Sequence, residues 1–321
     1  MRSNSQHAAG NGMRPHLAQL AIWAMVYIGC RRTYQRLPEH DLQPTEVASV
    51  FSWLPDVILT SPMVFEGLRW ALVIGGVLWS LQLLIPWSSW LAVGSFTGVV
   101  ALFYENSMAI AHTYNLAVLL LFIHAAWYHF RRHEIRAAIA DGSFWHREMY
   151  PPWVFKLSVF SIAIFHTFAG LSKLFISGFE WANGLSLQLW VHLWGVDSGV
   201  KELLLSDRAL AQALQVSTLV IETGAIVALL SRRWRWAMGL GLMGLYSGIL
   251  MTFNFNFQYN ALIVALFLLP TYAALDWVYK FLHDGRRLTL RLRPDSAVTR
   301  VLRLLLSRLD ILGVIEIKTP E

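Results

Sequence analysis

Long apolar stretches constrain this chain more than any other feature of its sequence. A helix needs about 20 predominantly apolar residues to cross a bilayer, and most of these stretches are close to that length. They lie at 64–84, 87–104, 110–130, 152–175, 209–230, 235–253 and 258–280. Only 14% of the residues are charged, whereas soluble domains carry about 25%. We therefore predict an all-α, polytopic integral membrane protein with about seven or eight helices.

The membrane domain is predicted to occupy residues 64–283, after an N-terminal segment at 1–63. That segment contains a short apolar run at 17–30 and a loop with four prolines at 37–62. The run at 17–30 is shorter than a comfortable span, so it either lies on the membrane surface or crosses the bilayer.

The C-terminal tail, residues 284–321, has a different pattern. Residues 286–293 alternate apolar and basic side chains, which is typical of a strand. Residues 295–312 place leucines on one helical face and arginines on the opposite face, and 313–318 predict a second strand. The tail is therefore either the start of a β-α-β unit or a basic amphipathic helix on the membrane surface.

The positive charges predict the location and topology. They cluster in 131–149, in 231–235 and after residue 280, as they do in cytoplasmic loops of membrane proteins. We expect a multi-pass protein of the plasma (inner) membrane with a cytoplasmic C-terminus. The net charge of +6 is explained by these loops and by contact with the lipid bilayer, without a nucleic-acid partner. The single cysteine, Cys30, excludes an internal disulfide and a cysteine-rich metal site, and no metal is expected.

One predicted helix carries two basic side chains at membrane depth. His166, Gly170 and Lys173 are spaced i, i+4 and i+7, which places them on one helical face. Gly170 leaves room for a ligand or another backbone between the two basic groups. Lys173 is near a helix end, so it either serves a polar cavity or extends its amine to the membrane interface.

Other polar side chains also fall inside apolar stretches. His112 and Asn115 lie close together in one stretch, and Glu222 lies alone in another. Glu222 either takes part in a site or forms a structural ion pair with Lys173 or an arginine. His124 is expected to be a structural histidine that hydrogen-bonds inside the bundle.

A short motif changes the functional interpretation. The residues Phe168-Ala169-Gly170-Leu171-Ser172-Lys173-Leu174 precede Trp181 and Gly184, and His112-Thr113-Tyr114 lies upstream. The chain resembles the vitamin K-dependent gamma-carboxylase-like (HTTM-domain) family in these two elements, over roughly residues 60–280. In that family the motif is AG-x-x-KL followed by W-x-x-G.

The resemblance implies a lipid-soluble cofactor and a base. The cofactor would be a reduced isoprenoid quinone, such as menaquinol or vitamin K hydroquinone, and the reaction a quinol-dependent oxygenation or carboxylation. Lys173 would act as the base and His112 would assist it. We add His166 as a proton shuttle on the same face. The remaining predicted site residues are Asn115 and Glu222 in support and Gly170 and Trp181 at the cofactor.

Departures from the family favour a second hypothesis. No histidine lies between His192 and His283, where the carboxylases carry one, and no large docking domain follows residue 280. The tail resembles the start of DCC-type thioredoxin-like oxidoreductases, but Ser296 and Thr299 replace the two cysteines, which removes the thiolate nucleophile. The alternative is a non-enzymatic membrane scaffold, or an export and maturation partner of another membrane or exported protein. A transporter is disfavoured because the sequence has no inverted repeat.

Overall fold

The protein is described by a computed structural model. It covers residues 13–35, 55–59, 61–105, 114–145, 147–254 and 257–283, and in the tail 288–291, 299, 301–302, 305–306 and 315–318. These residues are predominantly helical, as predicted. They form two compact units, of which one comprises Met1–Phe155 with Tyr272–Glu321 and the other Lys156–Thr271. The predicted domain boundaries at 63 and 283 remain predictions.

The first unit is built from helices around an aromatic core. The helices are α1 (His16–Gln35), α2 (Asp56–Leu59), α3 (Pro62–Ser80), α4 (Trp87–Glu105), α5 (Asn115–Phe130) and α6 (Arg132–Ala140). Helix α3 begins where Ser61 accepts a hydrogen bond from the backbone N–H of Val64, with Pro62 in the first turn, a favourable helix start. Trp79 and Trp127 are fully buried.

His124 in α5 is a structural histidine, as predicted. Its ring is fully buried, and its Nδ1 lies 2.7 Å from the carbonyl oxygen of Leu120. Its Nε2 lies 3.1 Å from the hydroxyl of Tyr150. Both ring nitrogens therefore have partners within the first unit.

The second unit contains the motif and the helices around it. They are α7 (Pro152–Ser177), whose first residues belong to the first unit, then α8 (Leu185–Trp194), α9 (Gly199–Ser206), α10 (Arg208–Thr223), α11 (Arg232–Phe253) and α12 (Gln258–Leu268). Two 3-10 segments, Gly178–Ala182 and Gly224–Leu229, follow α7 and α10.

Several helices are long and apolar enough to cross a membrane, which makes this a membrane-embedded protein. Within the part of the chain that the structure describes, these helices are Pro62–Ser80, Pro152–Ala182, Arg208–Leu229 and Arg232–Phe253. Large apolar side chains at their surface support this, since Phe175, Ile176 and Phe179 are exposed by 84%, 84% and 87%. Such exposure is costly in water and favourable in lipid.

The predicted count of about seven or eight spanning helices is not reached among the described residues. There are four candidate spans, or five with one bent pair. The apolar helices His16–Cys30, Trp87–Leu102 and Asn115–Phe130 are shorter. The predicted helix 258–280 is in fact the bent pair α12 and α13 (Thr271–His283). Pro270 causes the break, because it lacks an N–H donor and forces extended backbone on Leu269, which has ψ 170°.

The tail contains two short strands, β1 (Leu288–Arg291) and β2 (Ile315–Lys318), which pair in parallel. Most of the helix predicted at 295–312 lies outside the described residues. The β-α-β interpretation of the tail therefore stays a prediction.

Candidate functional site

The site is built where α7 crosses α10. Gly170 is the point of closest approach, because a Cβ atom at this position would lie 2.6 Å from the backbone nitrogen of Thr223 and 2.9 Å from the Cβ of Glu222. Real Cβ contacts are not that short, and a backbone atom cannot rotate away. A residue without a side chain is therefore required at position 170, and the room that the sequence predicted there is filled by the second helix.

An ion pair lies one turn further along the same helical face. The Nζ of Lys173 donates a hydrogen bond to the Oε2 of Glu222. The Lys173 side chain is 25% exposed and that of Glu222 11% exposed. This is the ion pair that the sequence analysis offered as one alternative for Glu222, with Lys173 as its partner.

Trp181 adds a second contact to the lysine. It lies in the 3-10 segment that follows α7, and the Lys173 Nζ is 5.3 Å from the centre of its ring. At this distance the ring face attracts a cation. Two motif residues, Lys173 and Trp181, thus form a cation–π contact.

The turn that ends the motif is held by a residue that sequence reasoning missed. Gln215, on α10, accepts a hydrogen bond of 2.8 Å from the N–H of Gly184 and donates one of 2.6 Å to the carbonyl oxygen of Trp181. Gly184 has φ +83°, a conformation that glycine adopts without strain. The signal that could have found Gln215 is an amide side chain inside an otherwise apolar stretch.

Thr167 connects α7 to the end of α10. Its hydroxyl oxygen accepts a hydrogen bond of 3.0 Å from the N–H of Ile226, at the point where the α-helix gives way to the 3-10 segment. Where one helix type changes into the other, some backbone N–H groups lack a carbonyl partner within the helix and bond to a side chain instead. The crossing of the two helices is thus secured at Thr167, Gly170 and Lys173.

His166, for which the sequence predicted no partner, contacts a residue on α11. Its Nε2 lies 3.1 Å from the hydroxyl of Tyr246 on α11, and the ring of Tyr246 stacks on Phe257. Tyr246 also interacts through a hydrogen bond with the side chain of Asn260 on α12. Sequence reasoning named His166 but not Tyr246, since tyrosines are common in apolar stretches.

The remaining predicted residues are not brought to this site within the described structure. His112 lies outside the described residues. Asn115 is the first residue of α5 and is exposed, and it belongs to the first compact unit. Among the residues that the structure describes, no group of three or more histidine, cysteine, aspartate or glutamate side chains is placed to hold a metal ion.

Chemically, the site offers a paired acid and base in an apolar setting. The chain matches no family model, no curated protein and no solved structure.

Proposed function

We propose that this protein is an intramembrane proton-transfer enzyme that acts on a reduced isoprenoid quinone, with Lys173 as the base. The observation that carries the proposal is the pairing of Lys173 with Glu222 beside Trp181. An ion pair at membrane depth is expensive to keep, so such pairs usually serve a function. The proposed location is the plasma (inner) membrane with the C-terminus in the cytoplasm, from the basic loops.

In this proposal the pairing with Glu222 gives Lys173 a route to the neutral amine. A lysine amine in water is protonated, with a pKa of about 10.4. In the proposed mechanism Glu222 takes the proton from Lys173, and the free amine then accepts a proton from the hydroxyl group of the ligand. A reduced quinone, once bound and deprotonated, supplies a strong base for carbon-acid chemistry when O2 oxidises it.

The surroundings of the site suit an isoprenoid ligand. Phe168, Phe175 and Ile176 lie on the same helix as Lys173 and are all exposed. An isoprenoid chain can lie against such side chains without leaving the lipid, because neither surface then has to be hydrated. Trp181 provides an aromatic face beside the amine for the quinol ring. The residues present therefore fit the ligand that the motif implies.

The test is quinol oxidation by the full-length protein in lipid nanodiscs under air. Reduced menaquinone or vitamin K is the substrate, and oxidised products, including epoxide, are measured by chromatography and mass spectrometry. Lys173→Ala is expected to lower turnover by at least about 100-fold, as expected for loss of a general base. Lys201→Ala is a matched control, because Lys201 forms its ion pair with Asp197 away from the motif.

Two outcomes would contradict the proposal. Normal turnover by Lys173→Ala would remove the lysine from the mechanism. No turnover by the wild-type protein, with helicity intact, would leave no enzyme activity to explain.

A second candidate function is a membrane scaffold or an export and maturation partner without catalysis. The observation that favours it is that Gly170, Thr167 and Lys173 all fix α7 against α10, so each has a structural task. It predicts that the wild-type protein co-purifies with a membrane or exported protein and carries no quinone. A bound quinone found by solvent extraction, with no partner, would contradict it.

A further inference from the structure

A buried polar cluster lies beside the lysine in the second unit. His166, Tyr246 and Asn260 come from α7, α11 and α12, and all three are buried, with Asn260 only 3% exposed. The hydroxyl of Tyr246 connects the other two, at 3.1 Å from His166 Nε2 and in a hydrogen-bonding interaction with Asn260.

One atom of this cluster has no hydrogen-bond partner among the residues that the structure describes. The Oδ1 of Asn260 is buried and accepts no hydrogen bond from any residue that the structure describes. A carbonyl oxygen without a donor is costly in an apolar environment, and inside a bilayer no bulk water is at hand to supply one. The atom therefore calls for a donor that is not part of the described protein.

The required donor is a hydroxyl group. Oδ1 is an amide oxygen, which can accept hydrogen bonds and cannot donate them. The two charges that act on the cluster, Lys173 and Glu222, already pair with each other, so a cationic ligand would find no free counter-charge among the described residues. A neutral O–H group satisfies the acceptor without placing a charge at membrane depth. The hydroxyl can belong to a membrane-soluble ligand or to water.

We propose that Asn260 is the recognition residue for a hydroxyl group of a membrane-soluble phenol, held by the Tyr246–His166 pair. In this arrangement Tyr246 fixes the Asn260 amide, and Oδ1 accepts the hydrogen bond of the ligand. The inference rests on the proposed function for the class of ligand, and it assigns the recognition of that ligand to residues outside the motif.

The test compares a ligand that can donate a hydrogen bond with its dimethyl ether, which cannot. Thermal unfolding of the full-length protein in nanodiscs is followed by tryptophan fluorescence, without oxygen, in the presence of menaquinol-4 or its dimethyl ether. Menaquinol-4 is expected to raise the melting temperature, and the ether, which has no hydroxyl group, is expected to leave it unchanged. Equal shifts from both compounds, or no shift from either, would overturn the proposal; the second result would leave water as the occupant.

A substitution then places the hydroxyl at Asn260. Asn260→Leu keeps a similar volume and removes the acceptor, and it is expected to weaken menaquinol-4 binding at least about tenfold, the effect of one hydrogen bond. Unchanged binding by this variant would overturn the proposal. If Asn260→Leu does not fold, Asn260→Ala is measured in its place, and the ligand comparison in the wild-type protein still tests the donor requirement.

The result is separable from the proposed function. Lys173→Ala is expected to lose turnover while menaquinol-4 still raises its melting temperature. Wild-type protein that binds menaquinol-4 through Asn260 without oxidising it would refute the enzyme and retain the recognition residue. Quinol turnover by the wild-type protein, together with unchanged menaquinol-4 binding by Asn260→Leu, would support the enzyme and refute the recognition residue.

Discussion

Gly170→Ala tests whether the crossing of α7 and α10 is the element that holds the site. The new Cβ would lie 2.6 Å from the backbone nitrogen and 2.7 Å from the Cγ2 of Thr223. The helices must separate to accept it, since the nearest atom belongs to the backbone. Overpacking of this kind lowers the free energy of unfolding by about 1–3 kcal/mol.

A matched control removes the effect of helix propensity. Replacing glycine by alanine inside a helix stabilises it by about 0.5–1 kcal/mol, which partly masks the clash at Gly170. Gly244 lies in α11, and a Cβ there would meet no atom within 4 Å. The difference between Gly170→Ala and Gly244→Ala therefore isolates the packing effect, about 1–3 kcal/mol.

The measurement is reversible unfolding in mixed micelles of dodecyl maltoside and sodium dodecyl sulfate, followed by tryptophan fluorescence. Gly170→Ala is expected to unfold at a lower sulfate fraction than wild type, and Gly244→Ala at an equal or higher one. Quinol turnover should fall in Gly170→Ala alone, because separation of the helices moves Glu222 away from Lys173. Equal stability of the two alanine variants would refute the close approach at Gly170.

Three further predictions concern single interactions. Glu222→Gln should lower the free energy of unfolding by about 3–5 kcal/mol because it leaves the Lys173 charge without a partner, and adding Lys173→Met should restore most of it in the same micelle titration. Gln215→Ala should lower the free energy of unfolding by about 1–3 kcal/mol, since the buried N–H of Gly184 loses its acceptor; wild-type stability would contradict this. Hydrogen bonds from Ser143, followed by the Arg147 charge, lower the pKa of Asp141. The stability that the ionised Asp141 contributes is therefore present above about pH 4, and it is lost as the pH falls through the pKa of the folded state. Asp141→Asn should therefore show a smaller loss of stability on acidification, and an unchanged acid limb would contradict the assignment.

The sequence predicted the parts of the site that depend on helical periodicity. The face shared by His166, Gly170 and Lys173 follows from their spacing alone, and α7 presents all three to neighbouring helices. The predominantly helical class also follows from local properties, namely the apolar composition and the length of each apolar stretch. These features needed no knowledge of which helices are neighbours.

Features that depend on contacts between helices were not predictable in the same way. The partner of Glu222 was left open between Lys173 and an arginine, since a lone acid in an apolar stretch does not indicate which basic residue it contacts. Gln215 was missed because its three partners, Trp181, Gly184 and Ser186, are distant in the sequence. The sequence predicted one apolar stretch over 258–280, and the bend at Pro270 could not be predicted, because a proline leaves the angle between the two flanking helices undetermined.

The close approach at Gly170 also changes what the motif can report about evolution. A related chain without any catalytic activity would still need a glycine there, because any larger residue pushes the two helices apart. Natural selection for a well-packed membrane protein would by itself preserve a glycine at position 170. Retention of the AG-x-x-KL pattern in a related chain is therefore a marker of shared helix packing, and it is not by itself a marker of shared activity.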